Sequence, residues 1–494
     1  MFRPRACCCV FCAILGALLA GLMLFGSVPA ATAQAPAKKS VSFINDVAPI
    51  LKENCYACHD AKKRKGKLEM TSYESFRKGG SKDDPVTEGK SKESVIIDMI
   101  TATGAGRMPP KDAGDALPKE KIALIAAWID QGAKLDPGIE PKADLLRELR
   151  KRWQPPTAPK EFKAPVPVNS LIFTPDNKQL VIGGYHELLI RDATTGKLEK
   201  RISTRAERAL AMLFLPDGKL VVAGSRPGQE GDVRMYDISA GTDGVHDKKV
   251  FLKEFVQTDD SQLALALSPD AKKLAAAGCD RIIRVWDIAS GKLEQSIENH
   301  ADWVMGLAFS PDGKHLLSAS RDKTAKVWDL AAKESLATFS DHQNNVYGVA
   351  ITPDGKHGIS VGEDNNIRIW QATDANNQIG KQTKTIGGHN KAIFRLALNT
   401  AGKTPLLATA SADGTVRLSD PVAGNSKSSL TGLGDWVYAV AISPDGKLVA
   451  GGAYNGEVRV WKTGDAKEVV GFNATPGYVP IKTAQVKKTA ETKK

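Results

Sequence analysis

Apolar residues change their period about a third of the way along the chain. Before residue 168 they recur at helical spacing. Phe43, Ile44, Val47, Ile50 and Leu51 form one stripe and predict a helix leading up to Cys55. With Asp46 as its N-cap, Pro49 falls in the first turn, where proline is tolerated. Val95, Ile96, Met99 and Ile100 predict a second helix over about 92–101. Ile122, Ile125, Ala126 and Ile129 predict a third, starting at Leu117-Pro118 and stopped by Gly132. The charged stretch 142–153 carries Leu145, Leu146 and Leu149 on one side and predicts a short helix. Five prolines in 154–167 then predict an extended run, so that 138–167 reads as a linker made of a charged helix and a proline-rich stretch.

From 168 onward the pattern is short β-branched runs cut by turns. The turns repeat: Thr174-Pro175-Asp176-Asn177, Leu215-Pro216-Asp217-Gly218, Ser268-Pro269-Asp270, Ser310-Pro311-Asp312-Gly313, Thr352-Pro353-Asp354-Gly355 and Ser443-Pro444-Asp445-Gly446, with a degraded copy at Asn399-Thr400-Ala401-Gly402. About 16 residues after each comes a strand whose tryptophan position is held by Arg191, Tyr236, Trp286, Trp328, Trp370, Ser419 and Trp461. The spacings are 45, 50, 42, 42, 49 and 42. Seven such units predict a seven-bladed β-propeller over 168–473, followed by a lysine-rich tail at 474–494.

The length fits this division, because 494 residues are too many for one core. Arg3 and Arg5, an apolar stretch from Cys7 to about Phe25, and Ala31-Thr32-Ala33 read as a signal peptide over 1–33. The alternative is an uncleaved membrane anchor. Either way the bulk of the chain is exported, to the periplasm or a similar compartment. Four of the seven cysteines lie in the leader, leaving Cys55, Cys58 and Cys279. Cys279 reads as a small buried strand residue. The net charge of +12 is gathered partly at Lys62-Lys63-Arg64-Lys65-Gly66-Lys67 and partly in the tail. No nucleic-acid motif accompanies it. The basic run is then a solvated face, or steers an acidic redox partner.

The candidate chemistry is Cys55-Tyr56-Ala57-Cys58-His59. Two thiols two residues apart and an adjacent histidine are what covalent attachment of one c-type haem requires, with Cys55 and Cys58 as the bonded residues and His59 as an iron ligand. A zinc half-site or a redox Cys-x-x-Cys is the competing reading. The sixth iron ligand has three candidates. Met70 lies only 11 residues past His59, and Met99 lies on a helical stripe where packing is its ordinary job. Met108 precedes Pro109-Pro110 in a loop that proline stiffens, and can hold a thioether against the distal face. An open or His-ligated iron remains the alternative.

These residues resemble the planctomycete-type cytochrome c domain. The likeness rests on Phe43 to Leu51, Cys55-x-x-Cys58-His59, Lys78-Gly79-Gly80, Gly89 to Ser94, Met108-Pro109-Pro110 and Trp128 to Ala133. It implies a small all-α, class I-like cytochrome c domain over 41–137, with Met108 as the distal ligand. Residues 101–107 depart from the family in being rich in Gly, Ala and Thr where acidic residues are common. The repeats resemble the WD40 family. That likeness implies that His300, Asp322 and Trp328, then His342, Asp364 and Trp370, and His389 with Asp413, brace blades rather than bind metal.

Fold alone does not give function. The expectation is an exported electron carrier with a redox partner at the haem edge and a protein partner at the propeller. Two alternatives stand beside it: an oxidoreductase with a propeller active site coupled to the haem, and a haem-based sensor. Quinoprotein dehydrogenases share only the domain composition, since adjacent cysteines are missing beyond the leader. No Ser/His/Asp set, phosphate loop or paired-carboxylate motif rises above background.

Overall fold

The computed structural model describes residues 40–81, 83–373 and 379–479. The leader read at 1–33 and the lysines from Lys482 on lie outside the described residues. The chain divides into two compact units between Trp153 and Gln154.

The first unit is helical. A π-helical turn over Phe43–Val47 runs into α1 (Ala48–Asn54), and α2 (Tyr56–His59) follows after one residue. The N-cap is Ser42, not Asp46. The Ser42 hydroxyl accepts the Asn45 amide at 3.0 Å, and Asp46 reaches back to accept the Ser42 amide at 2.8 Å. Sequence periodicity misses α3 (Tyr73–Lys78), because six residues are too short to show a period. Ser72 and Ser75 cap it reciprocally. Helix α4 (Val95–Thr101) begins later than the stripe suggests, since Ser91–Glu93 forms a 3₁₀ turn ahead of it. Helix α5 (Lys119–Asp130) follows Pro118 and ends before Gly132, whose φ of +95° suits glycine. Helix α6 (Leu145–Arg152) is capped by Asp144.

Four rings centre this core. Phe43 lies 5.1 Å from Trp128 and 6.4 Å from Phe76, with Tyr73 edge-on to it. The Trp128 indole donates to the Lys134 carbonyl at 2.9 Å, so its one polar atom is satisfied. Leu145 is fully buried in the same cluster, so the segment read as a linker contributes α6 to this unit.

The second unit holds seven four-stranded antiparallel sheets, at 171–203, 208–258, 262–298, 304–339, 346–386, 393–430 and 437–473. It is a seven-bladed β-propeller. All seven residues at the repeat's tryptophan position sit in the third strand of their blade. The seventh blade supplies its own outer strand, Glu468–Asn473. The ring therefore closes through a seam between complete blades. Val168 donates to the Ala453 carbonyl at 3.1 Å, and Asp445 to the Asn177 side chain at 3.0 Å. Arg191 donates to the carbonyls of Gly196 (2.7 Å) and Ala474 (2.8 Å), and stacks 5.0 Å over Phe472. The proline-rich run is pinned here too: Phe162 donates to Pro476 at 3.1 Å and Val166 to Thr475 at 2.8 Å.

The repeat histidines are engaged inside blades. His300 Nδ1 meets Asp322 at 2.7 Å, His300 Nε2 meets Ser318 at 2.7 Å, and the Trp328 indole donates to Ser318 at 2.8 Å. His342, Asp364, Ser360 and Trp370 repeat the pattern. In the sixth blade Thr409 serves His389, and Ser419 stands where tryptophan would. The hydroxyl ten residues before the tryptophan position was readable from the repeat, but the sequence reading did not single it out. Replacing Ser318 by alanine leaves a buried imidazole nitrogen and a buried indole N–H without partners. The expected cost is about 1–3 kcal/mol, read as a lower denaturation midpoint for the propeller; an unchanged midpoint would refute the bracing role.

Candidate functional site

A cavity of about 230 Å³, open to solvent on one side, lies in the helical unit. Its lining includes Cys55, Cys58, His59, Met70, Met99 and Met108, together with Leu68, Pro85, Val95, Ile96, Ile100 and Leu117. Most of the remaining lining is small or apolar.

One helical turn holds the motif together. Cys55 is the junction between α1 and α2, and its carbonyl accepts both the Cys58 amide (3.1 Å) and the His59 amide (3.0 Å). Both thiols are free. Burial, then the neighbouring Cys58, pushes the Cys55 thiol up to about 12, so it stays protonated at neutral pH. The His59 Nδ1 atom is buried and has no hydrogen-bond partner among the described residues.

The methionines arrive by short links. The Met70 amide donates to the His59 carbonyl at 2.9 Å, which brings Met70 to the cavity despite its closeness in sequence. The Met108 amide donates to Met99 at the end of α4, also at 2.9 Å. Arg107 ties the loop beyond it, donating to the Gly114 carbonyl at 2.7 Å. The structure therefore places all three candidate thioethers on one cavity. Met70 is 5% exposed and belongs to the core, whereas Met99 and Met108 are partly exposed.

Gly79 and Gly80 shape one wall. A Cβ on Gly80 would stand 2.4 Å from the Gly66 carbonyl oxygen, so only glycine lets the two backbones meet there. Ser81 donates to that same carbonyl at 2.8 Å. Gly66, Lys65 and Ser81 line the cavity beside them. The exposed basic run 62–67 thus flanks its edge. Asp60 anchors the start of that run. Its carboxyl is held below the usual range, first by the Lys63 amide and also by the Lys62 amide.

The donor set suits a covalently held haem. Two thiols one turn apart, an imidazole with an unpaired buried nitrogen, thioethers and a mainly apolar wall share one cavity. Sequence reasoning missed Leu68, Pro85 and Leu117, because isolated apolar residues in loops carry no period. No group of three or more His, Cys, Asp or Glu among the described residues is arranged to hold a metal ion. The propeller histidines that sequence reading set aside are occupied as braces.

A small helical domain with this cavity, followed by a seven-bladed propeller, defines the class. The family described as Planctomycete cytochrome C matches residues 55–112, from the first motif cysteine past the Met-Pro-Pro loop. WD domain, G-beta repeats match 250–287, 291–329, 333–371, 380–420 and 424–462. The chain is a planctomycete-type cytochrome c domain fused to a WD40-repeat propeller. The first blade and the first three strands of the second, with Arg191 and Tyr236 at the tryptophan position, fall outside those matches. Among curated proteins the chain is similar to Protein tipD of Dictyostelium discoideum, 34% identical over 83 residues (17% of this chain and 13% of that protein). It is similar to Protein groucho of Drosophila melanogaster, 27% identical over 128 residues (25% and 16%). It is also similar to the probable serine/threonine-protein kinase PkwA of Thermomonospora curvata, 45% identical over 47 residues (10% and 6%). The matches span at most 16% of these relatives' lengths.

Proposed function

We propose that the protein is an exported electron carrier. One haem c is bonded to Cys55 and Cys58 and ligated by His59 and Met108, while the propeller docks a protein partner. The observation that supports this most is the single cavity shared by the Cys-x-x-Cys-His turn and the Met-Pro-Pro loop. When bound, the haem supplies a one-electron iron couple.

The chain's own residues do the rest. Cys55 and Cys58 tether the group, so exchange with solvent cannot remove it. His59 is presented by α2 and needs no rearrangement to face the cavity. Leu68, Ile96, Ile100 and Leu117 would give the bound group an apolar wall, which lowers the dielectric on that side. Met108 would supply a thioether to the iron, and such a ligand raises the potential and excludes small ligands, which favours electron transfer over oxygen chemistry. The lysines at 62–67 speed encounter with an acidic redox partner, an effect that salt weakens. Export rests on the leader at 1–33, and haem c assembly fits an exported chain. Among the described residues, no helix is long and apolar enough to cross a membrane.

The test is ligand access. Full-length reduced protein, recovered from the exported fraction, is expected not to take up carbon monoxide. Ready uptake would favour a sensor or an oxygen-reactive enzyme and overturn the carrier reading.

A further inference from the structure

The propeller carries an aromatic corner whose own repeat shows what it takes. In the fourth blade, Asp302 and Trp303 open the inner strand, and Arg321 lies across from them, its amide donating to the Trp303 carbonyl at 3.0 Å. The Arg321 guanidinium sits 4.2 Å over the Trp303 ring, with its Nε 3.7 Å from Asp302. The seventh blade repeats the backbone arrangement. Asp435 and Trp436 open its inner strand, and the Tyr454 amide donates to the Trp436 carbonyl at 2.9 Å. Each aspartate accepts the amide of the following tryptophan at 2.7 Å. Only the cation differs: Tyr454 stands at the place of Arg321.

The consequence is an uncapped acceptor for a cation. Trp436 is 48% exposed and Tyr454 53% exposed. Asp435 has no ion-pair partner among the described residues. The rings continue inward from Trp436. Tyr438 lies edge-on to Trp436 at 6.4 Å and to Tyr454 at 5.9 Å, and stacks on Phe394 at 4.6 Å. The Tyr438 hydroxyl is pushed up by burial, then by Tyr454 and Asp435, so Asp435 keeps this corner electronegative. Ring faces beside an unpaired carboxylate attract a guanidinium, and more strongly once water is displaced.

We propose that Asp435, Trp436, Tyr438 and Tyr454 form a docking site for an arginine side chain of a partner protein, which enters as Arg321 enters the fourth blade. This rests on the reading of the propeller as a docking domain and names the chemistry of its partner. A neutral sugar or a proline-rich strand would also find aromatic surface here, but neither would use the carboxylate.

The experiment measures fluorescence anisotropy of a labelled glycine-rich peptide carrying two arginines, titrated with the full-length protein at low salt. The same peptide with citrulline in place of arginine keeps the shape and loses the charge. The arginine peptide is expected to bind, and the citrulline peptide at least about tenfold more weakly. Tyr454→Arg supplies the cation from within the chain and should abolish peptide binding while haem content and unfolding midpoint stay unchanged. Trp436→Ala should abolish it as well. Equal binding of the citrulline peptide, no binding of the arginine peptide, or full binding by a folded Tyr454→Arg variant would each overturn the proposal. Failure of this corner alone shows separately from failure of the broader reading: a native partner that binds wild type and Tyr454→Arg alike leaves the propeller a docking domain and removes only this corner.

Discussion

A variant carrying Cys55→Ser and Cys58→Ser is expected to hold no covalently bound haem. On a denaturing gel its haem stain should vanish at the mass of the chain, a complete loss rather than a partial one. Each single variant keeps one thioether, so it should stain weakly and show an absorption band shifted to longer wavelength by the surviving vinyl group. The expectation follows from the cysteine inventory. Beyond the leader the only other cysteine is Cys279, which is buried in the propeller with its thiol pushed up to about 12, first by burial. It is a poor nucleophile in that state. Haem still bonded to the double variant would mean that attachment lies elsewhere, and the account of the cavity would fail with it.

The second large effect is expected from Met108→Ala. Removing the thioether should open the iron, so that the reduced variant takes up carbon monoxide where the wild type does not. The potential should fall by a sizeable part of the ~0.8 V range that axial ligation spans. Met70→Ala and Met99→Ala provide the discrimination, because both residues line the same cavity. Met70 is a core residue, and its truncation should cost about 2–5 kcal/mol of stability without opening the iron. Carbon monoxide uptake by Met70→Ala or Met99→Ala, with Met108→Ala still closed, would reassign the ligand.

The propeller was legible because its signal is repeated. Seven turns and seven third strands at nearly constant spacing leave little freedom, and each marker residue falls in the strand expected for it. Departures from the repeat are also informative. Arg191, which breaks the tryptophan pattern, lies at the closing seam and takes two carbonyls and a ring there. The helical unit was legible in its long stripes and less so at their ends. Ser42 displaces Asp46 as the cap because a π turn over Phe43–Val47 precedes α1, which periodicity does not register. Helix α3 was missed because its signal is a cap rather than a stripe.

The candidate site was legible as residue types and not as a place. Cys55, Cys58 and His59 stand out by their spacing alone, which is compatible with haem attachment. Met70 stood among the candidates, with its closeness to His59 against it; it lines the same cavity as Met108, and its amide donates to the His59 carbonyl. The glycine pair at 79–80 was visible only as a likeness. Its reason is the backbone contact with Gly66, which no local pattern encodes.

The most direct test of the central claim is the alkaline pyridine spectrum of the full-length protein, made in a host that matures c-type cytochromes. The account predicts one haem per chain that survives acid–acetone extraction and gives the absorption of two saturated side chains. A chain that leaves its pigment in the extract, or never carries any, would contradict it.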